Sequence, residues 1–158
     1  MQNPLYLILL LGISSVIVFI DQYVKFTMIG LLSSVPTIPV VKGLFSLTLV
    51  FNTGAAFGML RDKRYIFLIL PVLTTTIILF IFFKSKVNKS LIFPFAFLLG
   101  GTIGNFIDRV QYGYVVDFFD VFYKKWHWPV FNIADSCICV GVFLLLIQLI
   151  KSERTKQL

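Results

Sequence analysis

Gly100-Gly101-Thr102-Ile103-Gly104-Asn105-Phe106-Ile107-Asp108-Arg109 closes an apolar run that begins at Leu91. Helical spacing sorts this stretch into two adjacent stripes, Gly100, Gly104 and Asp108 on one and Gly101, Asn105 and Arg109 on the other. Glycines four apart let a second helix approach closely. Two readings fit the polar end. Its side chains point into a helical bundle near one end of a membrane span, or Asp108 and Arg109 cap the helix and snorkel to water.

Outward from this run lie three more stretches of the same kind, Leu5 to Ile20, Ile66 to Phe83 and Ile133 to Ile150. A bilayer crossing takes ~20 apolar residues, fewer when flanking side chains snorkel. With 58% hydrophobic residues and 18 Phe in 158, the chain carries more apolar surface than a soluble core of this size hides. The expectation is an all-α polytopic membrane protein with four transmembrane helices at about 5–25, 66–83, 91–108 and 133–150. It forms a single membrane domain over 1–158, and the even number of spans puts both termini on one side.

Charge refines this picture. A net charge of +7 raises nucleic acid as a partner, but the basic residues punctuate the apolar runs and do not share a face, so none is expected. Lys84, Lys86 and Lys89 fill the turn between spans two and three, and Lys151, Arg154 and Lys156 follow span four. By the positive-inside rule these six mark the cytoplasmic side, where both termini then lie. Eight others, including Arg61, Lys63, Arg64, Lys124 and Lys125, fall elsewhere, so the short Lys-rich turn carries the orientation. The first span has no basic residue before it and no small-residue cleavage site after it, and is expected to be retained.

Between spans one and two, about 33–65, a small extracytoplasmic β-element and an interfacial segment are expected. Phe45, Leu47, Leu49 and Phe51 alternate with Ser46, Thr48 and Val50, the period of a strand. An open strand edge is not tolerated in hydrocarbon, so this element lies outside it. The small-residue run Asn52-Thr53-Gly54-Ala55-Ala56-Phe57-Gly58 follows, readable as close backbone approach or as a turn before an interfacial helix.

Five of the seven acidic residues, Asp21, Asp108, Asp117, Asp120 and Asp135, sit at or between span ends. Ionisable groups there are expensive and need a reason. Val115-Val116-Asp117-Phe118-Phe119-Asp120 sets two carboxylates in an apolar hexapeptide, and Phe131-Asn132-Ile133-Ala134-Asp135-Ser136 opens the fourth span. Asn132 and Asp135 alone read as a helix N-cap with its acidic partner. Asp117 and Asp135 also share a membrane depth beside bulky apolar residues. Two carboxylates close together in a low dielectric do not both ionise easily, and a pair holding one proton activates water for amide hydrolysis. The dipole of span four favours the anionic form of Asp135, leaving Asp117 as proton holder.

Other residues have plainer readings. Asp21 and Lys25, four apart, form an intrahelical ion pair. His127 between Trp126 and Trp128 belongs to an interfacial belt without chemistry. Asp120 is expected to be solvated. Cys137 and Cys139 point about 200° apart on a helix, which forbids a mutual disulfide, and are expected to be buried thiols. One His and two Cys supply no zinc set, and no metal or cofactor is expected.

In order, these blocks resemble the lipoprotein signal peptidases (type II signal peptidases) of bacteria: Asp21 and Lys25, Asn52 to Phe57, Gly104 to Arg109, Val116-Asp117-Phe118, and Phe131 to Ser136. The resemblance implies an intramembrane aspartyl endopeptidase that cuts a prolipoprotein's signal peptide before its diacylglyceryl-modified cysteine. Its site lies near the outer face of the cytoplasmic membrane. By motif, Asp117 and Asp135 match the catalytic dyad. Asn52, Gly54, Asn105, Asp108, Arg109, Asn132 and Ala134 fall in the blocks that line or support the site, and Asp21 with Lys25 matches a supporting pair. The partners implied are lipid-modified prolipoproteins and membrane phospholipid, with a monomer sufficient. The Gly-x-Gly-Asp signature of presenilin-type proteases is absent. Two rivals remain, a transporter using the carboxylates as a proton relay and a non-enzymatic assembly subunit.

Overall fold

The computed structural model describes residues 3–54, 64–84 and 88–156. Four long helices run through it: α1 Pro4–Leu32, α2 Arg64–Lys84, α3 Ile92–Gln111 and α4 Ile133–Lys156. All four are long and apolar enough to cross a membrane. The N-cap Asn3 accepts a hydrogen bond from Leu5 N at 3.0 Å, and Pro4 opens the first turn, where its missing N–H costs nothing. At 29 residues α1 spans about 44 Å, well beyond a ~30 Å hydrocarbon layer, so it continues seven residues past the expected end.

α3 is the axis of the bundle. The apolar window of α3 is 61% buried, against 22%, 17% and 11% for those of α1, α2 and α4, whose large side chains face outward as lipid contact requires. The two stripes of α3 divide between two neighbours. A Cβ on Gly100 would lie 2.8 Å from Ile17 Cβ of α1, and one on Gly104 would lie 2.6 Å from Asp21 Oδ2. The Gly101 position abuts the Ala134 carbonyl of α4. Close approach at both faces is why this span carries its glycines. At the far end, Leu10, Ile78, Phe82, Ile92, Phe95, Ala96 and Leu99 form an apolar core.

The β-element is larger than the sequence suggests. β1 (Thr37–Val41), β2 (Phe45–Asn52), β3 (Val115–Tyr123) and β4 (Trp126–His127) form one antiparallel sheet in that order. The alternating segment becomes β2 as expected. The region about 33–65 supplies only half of the strands, because β3 and β4 come from the connection between α3 and α4. β3 pairs with β2 from Phe45↔Val121 to Asn52↔Val115, with an irregularity between Leu47 and Val50. It escaped the period-two reading because most of its residues are buried on both faces, which erases alternation. Pro39 sits in the edge strand β1, where its missing donor is tolerated. Of the small-residue run, 55–58 lies outside the described residues, as do 59–63, and with them the reading of an interfacial helix.

Candidate active site

The carboxylates divide into two groups around the end of α3. Behind it, Lys25 Nζ lies 2.8 Å from Asp21 Oδ2 and 2.9 Å from Asp108 Oδ2, with all three side chains at most 3% exposed. Asp21 Oδ1 accepts from Ala134 N at 2.9 Å, satisfying one orphan donor of the first turn of α4. Asp108 Oδ2 accepts from Val116 N at 3.0 Å, fixing the start of β3. The expected pair Asp21–Lys25 is thus a triad joining α1, α3, α4 and β3. Asp108 is 1% exposed, so its snorkelling alternative fails: the neighbouring ammonium holds it inside. Gln22, which the sequence reading missed, bonds Asp108 Oδ1 at 2.8 Å and the Gly104 carbonyl at 3.1 Å.

In front, β3 carries Asp117 and the first turn of α4 carries Asp135. Asp117 Oδ1 accepts from Asn132 Nδ2 at 2.7 Å, and its Oδ2 accepts from Asn52 Nδ2 at 2.9 Å. Asn52 Oδ1 in turn accepts from Gly54 N at 3.0 Å, which fixes the amide orientation. Asp135 Oδ1 accepts from Asn105 Nδ2 at 2.7 Å. Asn105 Oδ1 accepts from both Lys25 Nζ and Asn132 Nδ2 at 3.0 Å, so one amide links the rear cation to the front carboxylates. The capping reading of Asn132 and Asp135 also holds: Asp135 N donates to Asn132 Oδ1 at 2.8 Å and Asn132 N to Asp135 Oδ2 at 3.3 Å. One asparagine serves both cap and site because its oxygen and nitrogen face different partners.

The front group opens on a cavity of about 600 Å³. Asn52, Gly54, Asn105, Arg109, Asp117 and Asp135 line it, whereas Asp21, Lys25, Asp108, Asn132 and Ala134 stand behind. Of the rest of the wall, Val115, Phe131 and Ser136 fall in stretches already singled out, whereas Phe67, Trp128 to Val130, Ile138 and Cys139 were not legible from spacing. The Arg109 guanidinium sits over the Phe67 ring, 5.0 Å from its centroid, a cation–π contact that holds it at the rim. Burial, with the Asp135 charge adding to it, pushes Asp117 up from 3.8 to about 7, against the hydrogen bonds from Asn52 and Asn132. The site can therefore keep a proton on Asp117 near neutral pH. Among the described residues no group of three or more His, Cys, Asp and Glu is placed to hold a metal ion.

Two expectations are overturned, for Asp120 and for the cysteines, and the one for His127 is extended. Asp120 is not solvated but 6% exposed, because Ser46, Thr48 and His127 close around it. His127 is more than belt, since its Nδ1 lies 2.9 Å from Asp120 Oδ1 and its ring stacks on Phe122. The cysteines are unpaired but not buried: Cys137 is half-buried, and Cys139 is exposed because it faces the cavity one turn after Asp135.

A bundle of four helices long and apolar enough to cross a membrane, with carboxylates gathered at a cavity, defines a class before it defines a protein, that of the polytopic membrane proteins with a polar site. A solved bacterial membrane enzyme matches with a TM-score of 0.83 at 33% identity, covering 93% of this chain and 90% of that one. A second matches at 0.75 and 32%, covering 90% and 92%. The family model described as signal peptidase (SPase) II matches residues 13–151, and this chain belongs to that family of membrane proteases. The lipoprotein signal peptidase of Geobacter sulfurreducens is 42% identical over 141 residues, 87% of this chain and 88% of the relative. That of Syntrophus aciditrophicus is 34% identical over 162 residues, 99% of each.

Proposed function

We propose that this protein removes the signal peptide from diacylglyceryl-modified prolipoproteins by aspartyl hydrolysis, cutting before the lipidated cysteine. The carrying observation is the convergence of Asp117 and Asp135, from a strand and a helix eighteen positions apart, on one cavity with only amide donors between them. Asp135, at the positive end of α4, acts as the anion and takes a proton from water as the water oxygen attacks the scissile carbonyl. Asp117 enters protonated and donates a hydrogen bond to the developing oxyanion. As the C–N bond breaks, a proton passes to the leaving nitrogen. One water is consumed, leaving a carboxyl on the signal peptide and a free amine on the lipidated cysteine.

Supporting residues follow from their partners. Asn52 and Asn132 hold both oxygens of Asp117, and Asn105 orients Asp135. Arg109, at the rim, meets the substrate backbone or headgroup as it enters. Acyl chains in the bilayer bring the scissile bond to the depth of the pair, so lipidation acts as a positioning device. The protein works as one membrane domain and as a monomer in phospholipid, with both termini cytoplasmic and the site near the outer face, in accord with the Lys-rich turn between α2 and α3.

The test is cleavage of a diacylglyceryl-modified prolipoprotein by purified protein in detergent with chelator present, for wild type, Asp117→Asn and Asp135→Asn. Metal-independent cleavage by wild type and loss in both variants, by about 10²–10⁴-fold, is expected. Cleavage surviving both substitutions moves the chemistry elsewhere. A folded wild type that leaves the substrate intact but conducts ions in proteoliposomes restores the relay reading.

A further inference from the structure

Asp120 is a buried carboxylate that the proposed hydrolysis does not use. It lies three residues beyond Asp117 on β3, and its side chain is gathered by three strands. From β2, Ser46 Oγ and Thr48 Oγ1 approach Oδ2 at 3.3 and 3.4 Å; beyond β3 itself, His127 of β4 meets Oδ1 at 2.9 Å. An ionised carboxylate only accepts, so His127 Nδ1 is the donor. The arrangement is no nucleophile relay, because the histidine touches the carboxylate and not the Ser46 hydroxyl. Its geometry is that of a clasp.

What the clasp holds is the cavity wall. β4 is only two residues long, pairing Phe122↔His127 and Tyr123↔Trp126. The chain then runs through Trp128, Pro129, Val130 and Phe131, all of which line the cavity, before Asn132 caps α4. Between those points four backbone bonds tie the wall to β3: Trp128 N donates to Val121 O at 2.9 Å, Phe131 N to Phe119 O at 3.1 Å, and Phe131 O accepts from Phe118 N at 3.1 Å and from Phe119 N at 2.8 Å. Proline removes one donor from this segment. Three of the four backbone bonds sit at Phe131, beside α4, so at the β4 end the bond from His127 to the buried carboxylate adds a side-chain tie next to the one from Trp128 N.

We propose that His127 is a positioning residue: through Asp120 it sets the wall Trp128 to Phe131 against the cavity and so governs how tightly a substrate is held. The proposal rests on the hydrolase reading above for its kinetic consequence but not for its structural one. The His127 side chain is 53% exposed, so replacing it leaves no cavity in the fold. His127→Phe keeps the ring on Phe122 and removes the donor; His127→Asn keeps a donor near the Nδ1 position and removes the ring.

The experiment measures initial rates on a diacylglyceryl-modified prolipoprotein in detergent together with tryptophan emission. Trp126 and Trp128 are the two tryptophans of the chain, so a Trp126→Phe background reports Trp128 alone. Expected for His127→Phe is a KM raised about 5-fold with kcat within about two-fold, the signature of lost uniform binding. Trp128 becomes more accessible to acrylamide, and His127→Asn restores both readouts. Unchanged KM and unchanged quenching in His127→Phe overturn the proposal. A His127→Asn variant as impaired as His127→Phe also overturns it, because restoring the donor then restores nothing. So does a fall in kcat with a lowered unfolding midpoint, which marks general destabilisation. If wild type cleaves nothing, the hydrolase reading falls while acrylamide quenching of Trp128 still decides the clasp.

Discussion

Two groups of buried carboxylates meet at the end of α3, and they are built on opposite principles. Asp21 and Asp108 share the Lys25 ammonium, and backbone or side-chain N–H groups satisfy their remaining oxygens. Asp117 and Asp135 have no cation within ion-pair distance among the described residues, only amide donors, and they face a cavity. A carboxylate paired with a cation in a low dielectric stays ionised and holds structure together. One held by amides alone keeps an affinity for its proton, and that is the property proton transfer needs. Burial is common to both groups, so burial does not separate scaffold from chemistry; the identity of the partner does.

The largest effect that sharpens this contrast is on turnover. Asp117→Asn or Asp135→Asn costs about 10²–10⁴-fold in cleavage while the fold is kept, since each amide fills the volume of the carboxyl; its Nδ2 faces a donor that the carboxylate accepted, which costs about 1–3 kcal/mol of stability. The triad responds in the other currency. Lys25→Met leaves Asp21 and Asp108 facing each other without a cation and lowers stability by about 3–5 kcal/mol, read as a lower unfolding midpoint. If Lys25→Met abolishes cleavage with an unchanged midpoint, the division between scaffold and chemistry is wrong.

A pH series separates the groups more gently. Asp117 is raised from 3.8 to about 7 in the folded protein, so the folded state binds the proton more tightly than the unfolded chain. Its contribution to stability is whole below about 4, declines as pH rises from about 4 to about 7, and is level above. Cleavage that needs protonated Asp117 falls about tenfold per pH unit above 7. A stability curve whose slope persists in Asp117→Asn assigns the titration to another group.

The smallest effect probes the packing that brings the groups together. Gly104→Ala places a Cβ 2.6 Å from Asp21 Oδ2 and costs about 1–3 kcal/mol by overpacking. Gly12→Ala and Gly30→Ala meet nothing within 4 Å on α1 and gain about 0.5–1 kcal/mol from helix propensity. Equal unfolding midpoints for the three variants remove the case for α3 as a tightly packed axis.

Much of the fold was legible because the bilayer simplifies it. Four apolar runs of the right length became four helices, and the glycine-bearing stripes of α3 met two different neighbours, as helical spacing required. β2 was legible through its alternation. β3 was not, because most of Val115 to Tyr123 is buried on both faces and its partner lies some seventy residues earlier. The same blindness explains Asp120, whose burial depends on Ser46, Thr48 and His127 converging from other strands. It explains Gln22 and the wall from Trp128 to Val130, which carry no spacing signal.

Residue order by itself determined the class of solvent, the number of spans, the blocks shared with the signal peptidase II family and the two carboxylates proposed for hydrolysis. These are local or additive properties, since hydropathy sums along a segment and a motif is a string. Only the tertiary structure decided which carboxylates met a cation and which met amides. Asp21, Asp108, Asp117 and Asp135 look alike in the chain, and their roles differ because α3 and β3 bring Lys25 to the first two and place Asn52, Asn105 and Asn132 around the others.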